Sequence, residues 1–257
     1  IPKLKKELEG YHKQLALPYL VDSAKNQQLV EEAYEHTITE VRASHILIRV
    51  ESNASPEDTL KAFNRMMELK KRIDSGSDFA ETAKSKEGSE DPSVATNGGD
   101  LGYFTAFQMV YPFEEMAYKT PVGSTSQPFR TRFGYHILKV TDKRKSRGTI
   151  RTAHIMVAAS KSSSEEEESF ESLAKEHSDD PGSSQKGGEL PAFGSGTTTR
   201  MVPAFEDAAF ALLKDGDFSM PIQTDYGYHI IKRIEWKDVK PFADMKKELQ
   251  MRVNKDE

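Results

Sequence analysis

The 257-residue chain is 30% charged and 36% hydrophobic, with a formal net charge of -5 and no cysteine. This balance provides no basic stripe for nucleic acid, and without cysteine there are no disulfides, thiolate nucleophiles or zinc–cysteine sites. No apolar run approaches the ~18–20 residues of a membrane span, and the opening "IPKLKKELEG" has no signal-peptide core.

In chain order, the first ~40 residues end in "LVEEAYEHTITEVRA", whose spacing predicts a charged amphipathic helix. "SHILIRV" then reads as a short apolar strand. Leu60, Phe63 and Met67 are spaced for one face of a helix, which Gly76 stops after Ile73. "DFAETAKS" predicts a second, shorter helix. A Gly-rich turn leads into "LGYF", a second strand. "PFEEMAY" is a helix with carboxylates near its N-terminus, where the helix dipole favours them. "VGSTSQPFRT" reads as a turn and strand, and "GYHILKV" as the closing strand. The basic stretch "TDKRKSRGTI" (141–150) is a short linker, after which the same order begins again. "PFADMKKELQMRVNKDE" closes the chain as another amphipathic helix. Neither end reads as a finished domain edge.

The second pass is a repeat of the first. "RASHILI" (42–48) matches "RTAHIMV" (151–157), and "SEDP" (89–92) matches "SDDP" (178–181). "NGGDLGYF" (97–104) matches "KGGELPAF" (186–193), and "MVYPFEEMAY" (109–118) matches "MVPAFEDAAF" (201–210). "TRFGYHILKV" (131–140) matches "TDYGYHIIKR" (224–233). Five segments in one order make two copies of one domain. The offset drops from 109 at the first pair to 89 at the second, so copy two is 20 residues shorter there. It holds only the polar "SKSSSEEEESF" where copy one has its first helix. Either copy two is degenerate, or a segment is absent from the sequence; losing the helix would bare apolar sheet surface. The expected domains are a helical segment (1–40), copy one (41–144), copy two (150–237) and a helical segment (238–257). Each copy is α+β, with a mostly antiparallel sheet and surrounding helices.

These paired motifs, over about three quarters of the chain, resemble parvulin-type (rotamase) peptidyl-prolyl cis-trans isomerases. The segment "YLVDSAKNQQLVEEAYEHTITEVRASHILI" also resembles the helix entering the first parvulin domain of SurA-like periplasmic chaperones. The resemblance implies a proline site in each copy. Its histidines fall on His45 and His136, and on His154 and His229; its cysteine-or-aspartate position falls on Asp91 and on Asp180. A threonine before the last strand corresponds to Thr131 and Thr224. The apolar proline pocket falls on Leu101, Met109 and Phe113, and on Leu190, Met201 and Phe205. The family's serine position is taken by Phe133 and Tyr226, so no polar role carries over.

Plainer readings stand beside these. A pair such as His45 and His136 fits satisfied core histidines, and repetition with an aspartate in each copy moves it toward a site. Met109, Phe113, Met201 and Phe205 would ordinarily be core residues. The Gly-Gly pairs suggest a phosphate loop, but no G-K-[ST] follows. The histidines recur without further liganding residues, so neither a metal nor another cofactor is expected. "RVESNASPED" and "AASKSSSEEEE" are poor phosphate sites, so no phosphate-specific recognition is expected. The implied function is isomerisation of X-Pro bonds in exported proteins; a holdase that binds unfolded chains without catalysis is the alternative. Clients would be unfolded proline-containing polypeptides, outer-membrane protein precursors among them, in the periplasm, with the signal peptide missing from this sequence. Copy two, lacking a supporting helix and having a longer Gly/Thr-rich pocket entrance, is expected to be the weaker catalyst.

Overall fold

A computed structural model describes residues 23–157, 169–195, 197 and 201–256. Helix α1 (Ser23–Ile38) leads directly into strand β1 (Thr39–Arg49). The expected N-terminal helix therefore stops earlier than its charge pattern implied. Thr37, Ile38, Thr39 and Val41 form a β-branched run that favours the strand. Residues 1–22 of the expected N-terminal module lie outside the described residues.

Copy one continues with α2 (Pro56–Asp74), α3 (Phe79–Lys84), α4 (Val94–Asn97), β2 (Asp100–Phe104), α5 (Tyr111–Lys119), β3 (Phe129–Thr131) and β4 (Gly134–Lys145). Its strands form one antiparallel sheet in the order β2-β1-β4-β3. Strand alternation sorts the side chains between two faces. Ile46, Ile48 and Ile137 pack under α2 and α3 against Ala62, Met66, Leu69, Phe79 and Ala83. Val41, Ala43, Leu138 and Val140 pack on the other face against Phe104, Phe113 and Ala117. Ser55 caps α2 by accepting from the Asp58 N–H, and Pro56 starts the helix where no backbone donor is needed. The buried face of α2 differs from the Leu60/Phe63/Met67 stripe. Ala62, Met66 and Leu69 are buried, whereas Leu60 and Met67 are exposed and Phe63 only edges onto the Tyr135 ring. Two apolar stripes lie side by side on this helix, and the sheet takes the one bearing the smaller Ala62, which allows closer approach.

Copy two holds β5 (Thr149–Val157), α6 (Phe170–His177), a 3-10 turn (Ser184–Lys186), β6 (Phe193–Gly194), α7 (Pro203–Ala211), β7 (Ile222–Thr224) and β8 (Gly227–Lys237). Its order, β6-β5-β8-β7, repeats that of copy one. The expected strand at "LPAF" shrinks to two residues, because Pro191 offers no N–H to a ladder. The acidic segment 158–168 and entrance residues 196 and 198–200 lie outside the described residues.

The stretch 141–150 is mostly strand rather than linker. Thr39–Arg42 pair with Asp142–Lys145, and only three residues separate Lys145 from the start of β5. Helix α8 (Phe242–Asp256) packs on α1 through Val30, Ala33, Leu249 and Val253, so these two helices form one unit. Among the described residues, no helix is long and apolar enough to cross a membrane.

Candidate functional site

Both site histidines of copy one lie on the sheet face covered by α5. In the β1–β4 register His45 opposes Leu138 and His136 opposes Leu47, making the rings diagonal neighbours. Their centroids lie 5.6 Å apart, 23° from parallel, and both residues are buried. Phe113 of α5 presents its ring edge to both, at 5.6 Å and 5.5 Å. Leu101 and Met109, each half-buried, pack against the same cluster. The structure thus gathers the two histidines, Phe113, Leu101 and Met109 around one dry floor.

The polar edge is a chain of hydrogen bonds. His45 Nε2 lies 2.7 Å from Asp91 Oδ2. At the far end, His136 Nε2 lies 2.8 Å from Thr131 Oγ1, which also accepts from the Phe133 N–H. The Nδ1 atoms of His45 and His136 are buried with no hydrogen-bond partner. Copy two repeats the arrangement: His154 Nε2 is 2.8 Å from Asp180 Oδ2, and His229 Nε2 is 2.8 Å from Thr224 Oγ1. There the two Nδ1 atoms meet at 3.2 Å, closing the chain. Phe205 presents its edge to both rings at 5.4 Å, and Leu190 and Met201 pack on the same cluster.

The carboxylates set the direction of this chain. Burial pushes the Asp91 carboxyl up, but hydrogen bonds from the Ser93 N–H, His45 and the Ser93 hydroxyl together hold it below the usual carboxylate range. Asp180 behaves alike: burial raises it, yet bonds from Ser183, His154 and the Gly182 N–H bring it to about 2. An ionised aspartate only accepts, so His154 Nε2 donates to Asp180. Burial, reinforced by the neighbouring His45, lowers His136 to about 3, and burial lowers His45 and His229 as well. At neutral pH these three rings are uncharged, and the site presents oriented dipoles against a single carboxylate.

The paired glycines have a packing role. A Cβ on Gly99 would sit 2.4 Å from the His45 carbonyl oxygen, and one on Gly188 2.2 Å from that of His154. Each histidine N–H donates to the carbonyl of that same glycine. Both glycines have positive φ, 89° and 81°. The Gly-Gly turn can lie against the histidine strand only because it has no side chain.

Three contributors escaped the sequence reading. Phe129 stacks on His136, with ring centres 5.5 Å apart and planes 20° from parallel; it stands two residues before Thr131, on the same strand face. Ser93 and Ser183 bond Asp91 and Asp180, from positions two and three residues beyond the aspartates. Serine so close after aspartate is a common turn signal, which hid the role. Phe133 and Tyr226 sit exposed at the hairpin tips. Among the described residues, no group of three His, Asp or Glu side chains could hold a metal ion.

Residues 28–144 and 143–235 each match a family model described as the PPIC-type PPIase domain. Over 228 residues the chain is 30% identical to "Chaperone SurA" of Chromohalobacter salexigens, covering 80% of this chain and 51% of that protein. Over 118 residues it is 45% identical to "Foldase protein PrsA" of Geobacillus kaustophilus, covering 46% of this chain and 37% of that one. A solved Campylobacter jejuni structure, titled as one of two SurA-like chaperones, is 28% identical, covers 55% of this chain and 54% of its own, and superposes with a TM-score of 0.33. The chain spans about half the length of the SurA relatives it matches.

Proposed function

The chain belongs to the PPIC-type PPIase (parvulin) family, with two such domains in tandem, and from that premise we propose that both copies isomerise X-Pro bonds in unfolded, exported polypeptides. The observation that carries the reading is the duplicated pair of buried histidines, the first bonded through Nε2 to an aspartate and the second to a threonine, against the edge of a phenylalanine ring. Rotation about a peptide bond faces a barrier of ~18–20 kcal/mol because resonance keeps the amide planar. X-Pro bonds interconvert unaided in roughly tens to hundreds of seconds. No nucleophile is required. The site has to hold the proline ring and favour the twisted amide over both planar forms.

In this reading Phe113 and Phe205 form the floor under the proline ring, while Leu101 with Met109, and Leu190 with Met201, form the walls. The buried histidines exclude water from the site, which weakens the charge-separated resonance form of the amide. Asp91 and Asp180, fixed by their serine bonds, supply an oriented negative field at one end. Thr131 and Thr224 fix the other. The clients would be proline-containing unfolded chains, outer-membrane precursors among them, and the compartment the periplasm.

A second reading rests on copy two. In copy one, Ile137 is fully buried beneath α2; its counterpart Ile230 is 38% exposed, and Tyr228 beside it 47%. Phe218, Met220 and Trp236 are exposed on the same copy. So much open apolar surface suits the holding of unfolded chains without catalysis. A proline-tetrapeptide isomerisation assay run beside an aggregation-suppression assay tests both. Acceleration that Phe113→Ala and Phe205→Ala together abolish supports the isomerase. Suppression of aggregation at micromolar protein, with the spontaneous isomerisation rate unchanged, assigns the holdase instead.

A further inference from the structure

The pocket phenylalanines Phe113 and Phe205 are each followed by a glutamate, Glu114 and Glu206. In sequence these are helix N-terminal carboxylates that need no partner beyond the dipole. The structure gives each one a partner. Glu114 is buried, and its Oε1 lies 2.7 Å from His36 Nδ1 at the end of α1. Its Oε2 accepts from the Phe107 N–H at 2.7 Å. Glu206 Oε1 is bonded by the Arg147 guanidinium, with Arg144 3.8 Å away. His36 precedes β1 and Arg147 precedes β5, so in both copies the partner comes from the segment entering that copy's first strand.

We propose that Glu114 and Glu206 are positioning residues of the two proline sites, each tying the helix that bears the pocket phenylalanine to the segment entering its domain. This deepens the isomerase reading and rests on it. The geometry in copy one shows how the tie reaches the pocket. Phe107 has a φ of 62°, a left-handed conformation strained for an aromatic residue. Glu114 holds its N–H, and the Arg252 guanidinium of α8 lies 4.2 Å over its ring. The same loop is pinned where the Thr105 hydroxyl donates to the His36 carbonyl, 2.9 Å away. Two residues beyond Phe107 lies Met109, a pocket wall. His36 itself is stacked on Tyr118 of α5, ring centres 3.6 Å apart, and the Tyr118 hydroxyl donates to the His36 carbonyl. One buried carboxyl thus fixes the loop before α5 and the helix together, against the unit formed by α1 and α8. In copy two Arg147 also bonds Asp207 at 2.7 Å and lies over the Phe210 ring, so α7 is gripped along its exposed side.

The test uses the full chain, with Phe205→Ala present whenever copy one is read and Phe113→Ala whenever copy two is read. For Glu114→Ala, we expect kcat/KM on a proline tetrapeptide to fall roughly 10-fold, chiefly through KM, because the pocket grips the ring in both ground and transition states. The 13C-methyl resonance of Met109 should move while that of Met201 stays. Glu114→Gln can still accept from the Phe107 N–H through its carbonyl oxygen and donate its NH2 to His36 Nδ1 in the tautomer where that nitrogen accepts, so it should remain within about two-fold of the parent; a pure dipole role would make it as damaging as alanine. His36→Ala should reproduce Glu114→Ala, with the double variant no worse than either. If Glu114→Ala does not fold, His36→Ala carries the same measurements. A folded Glu114→Ala with an unmoved Met109 methyl and parental kcat/KM overturns the proposal, as does a Gln variant equal to Ala. Should the parent protein not accelerate isomerisation at all, the isomerase reading fails; the methyl shifts and the tetrapeptide Kd then decide the positioning role alone.

Discussion

Replacing His136 by glutamine should flatten the pH dependence of stability. In the fold His136 is neutral and takes a proton only near pH 3, because burial and the neighbouring His45 oppose its charge. In the unfolded chain a histidine titrates near 6.5. Below pH 6.5 the unfolded state therefore binds the extra proton first, and stability falls as the pH drops. Between pH 7 and pH 5 this one ring costs about 2 kcal/mol, at ~1.4 kcal/mol per pH unit below its unfolded pKa. His45 and His229 are lowered as well and act in the same direction. The depressed Asp91 and Asp180 lose their contribution only below the usual carboxylate range, outside this window. Glutamine at 136 can still meet Thr131 but cannot titrate. Urea unfolding at pH 7 and pH 5 should show the parent losing about 2 kcal/mol more than His136→Gln over that interval. Equal losses would refute the buried, neutral assignment. So would a His136 ring resonance that titrates between pH 5 and pH 7.

Gly99→Ala should cost about 2–4 kcal/mol by unfolding, since its Cβ would strike the His45 carbonyl; Gly102→Ala, where the Cβ meets open space, should cost about 1 from its positive φ alone. Phe113→Ala in the full chain should remove more of the total kcat/KM than Phe205→Ala, and each should destabilise by about 3–5 kcal/mol through the cavity it leaves; greater activity in the Phe113→Ala chain would reverse the ranking of the copies. Phe129→Ile, which imports the copy-two residue at the matching register, should lower copy-one kcat/KM by roughly 2–10-fold as the stack on His136 is lost. An unchanged rate would remove Phe129 from the account of the site.

Much of this architecture was legible because the chain is written twice. Repetition marked out His45, His136, Asp91 and their counterparts as candidates, and the family resemblance, not the repeat, implied that the two histidine strands are neighbours. The same reading failed where tertiary packing chooses between local options. On α2 the stripes through Leu60 and through Ala62 are both apolar, and only the shape of the sheet selects one. At 141–145 the charged "TDKRK" looked like a linker, yet pairing of Asp142–Lys145 with Thr39–Arg42 carries it into the ladder. Glu114 was read as a dipole residue because its partner His36 lies 78 positions away, on an element whose contact with α5 no local pattern announces. Long-range polar pairs of this kind leave no periodicity behind.

The two copies also show which parts of the site tolerate change. Both keep the Asp–His–His–Thr order, and both have the glycine behind the first histidine and the phenylalanine edge above the pair. They differ in what presses on the last histidine, Phe129 in one and Ile222 in the other, and in how the sheet's far face is covered. In copy one, α2 buries Ile137 and completes a second core; in copy two the matching Ile230 stays partly open. The floor of the site depends on local strand register, and the β5–β8 ladder sets its two histidines in the same register as β1–β4 does. Its walls depend on loops and on the segment entering the domain, and there the copies part: His36 and a buried carboxyl serve one, Arg147 and a half-exposed carboxyl the other. Copy one thus sits against the α1–α8 pair, whereas copy two offers a similar floor beside open apolar surface, and the proposed ranking of the copies rests on that difference.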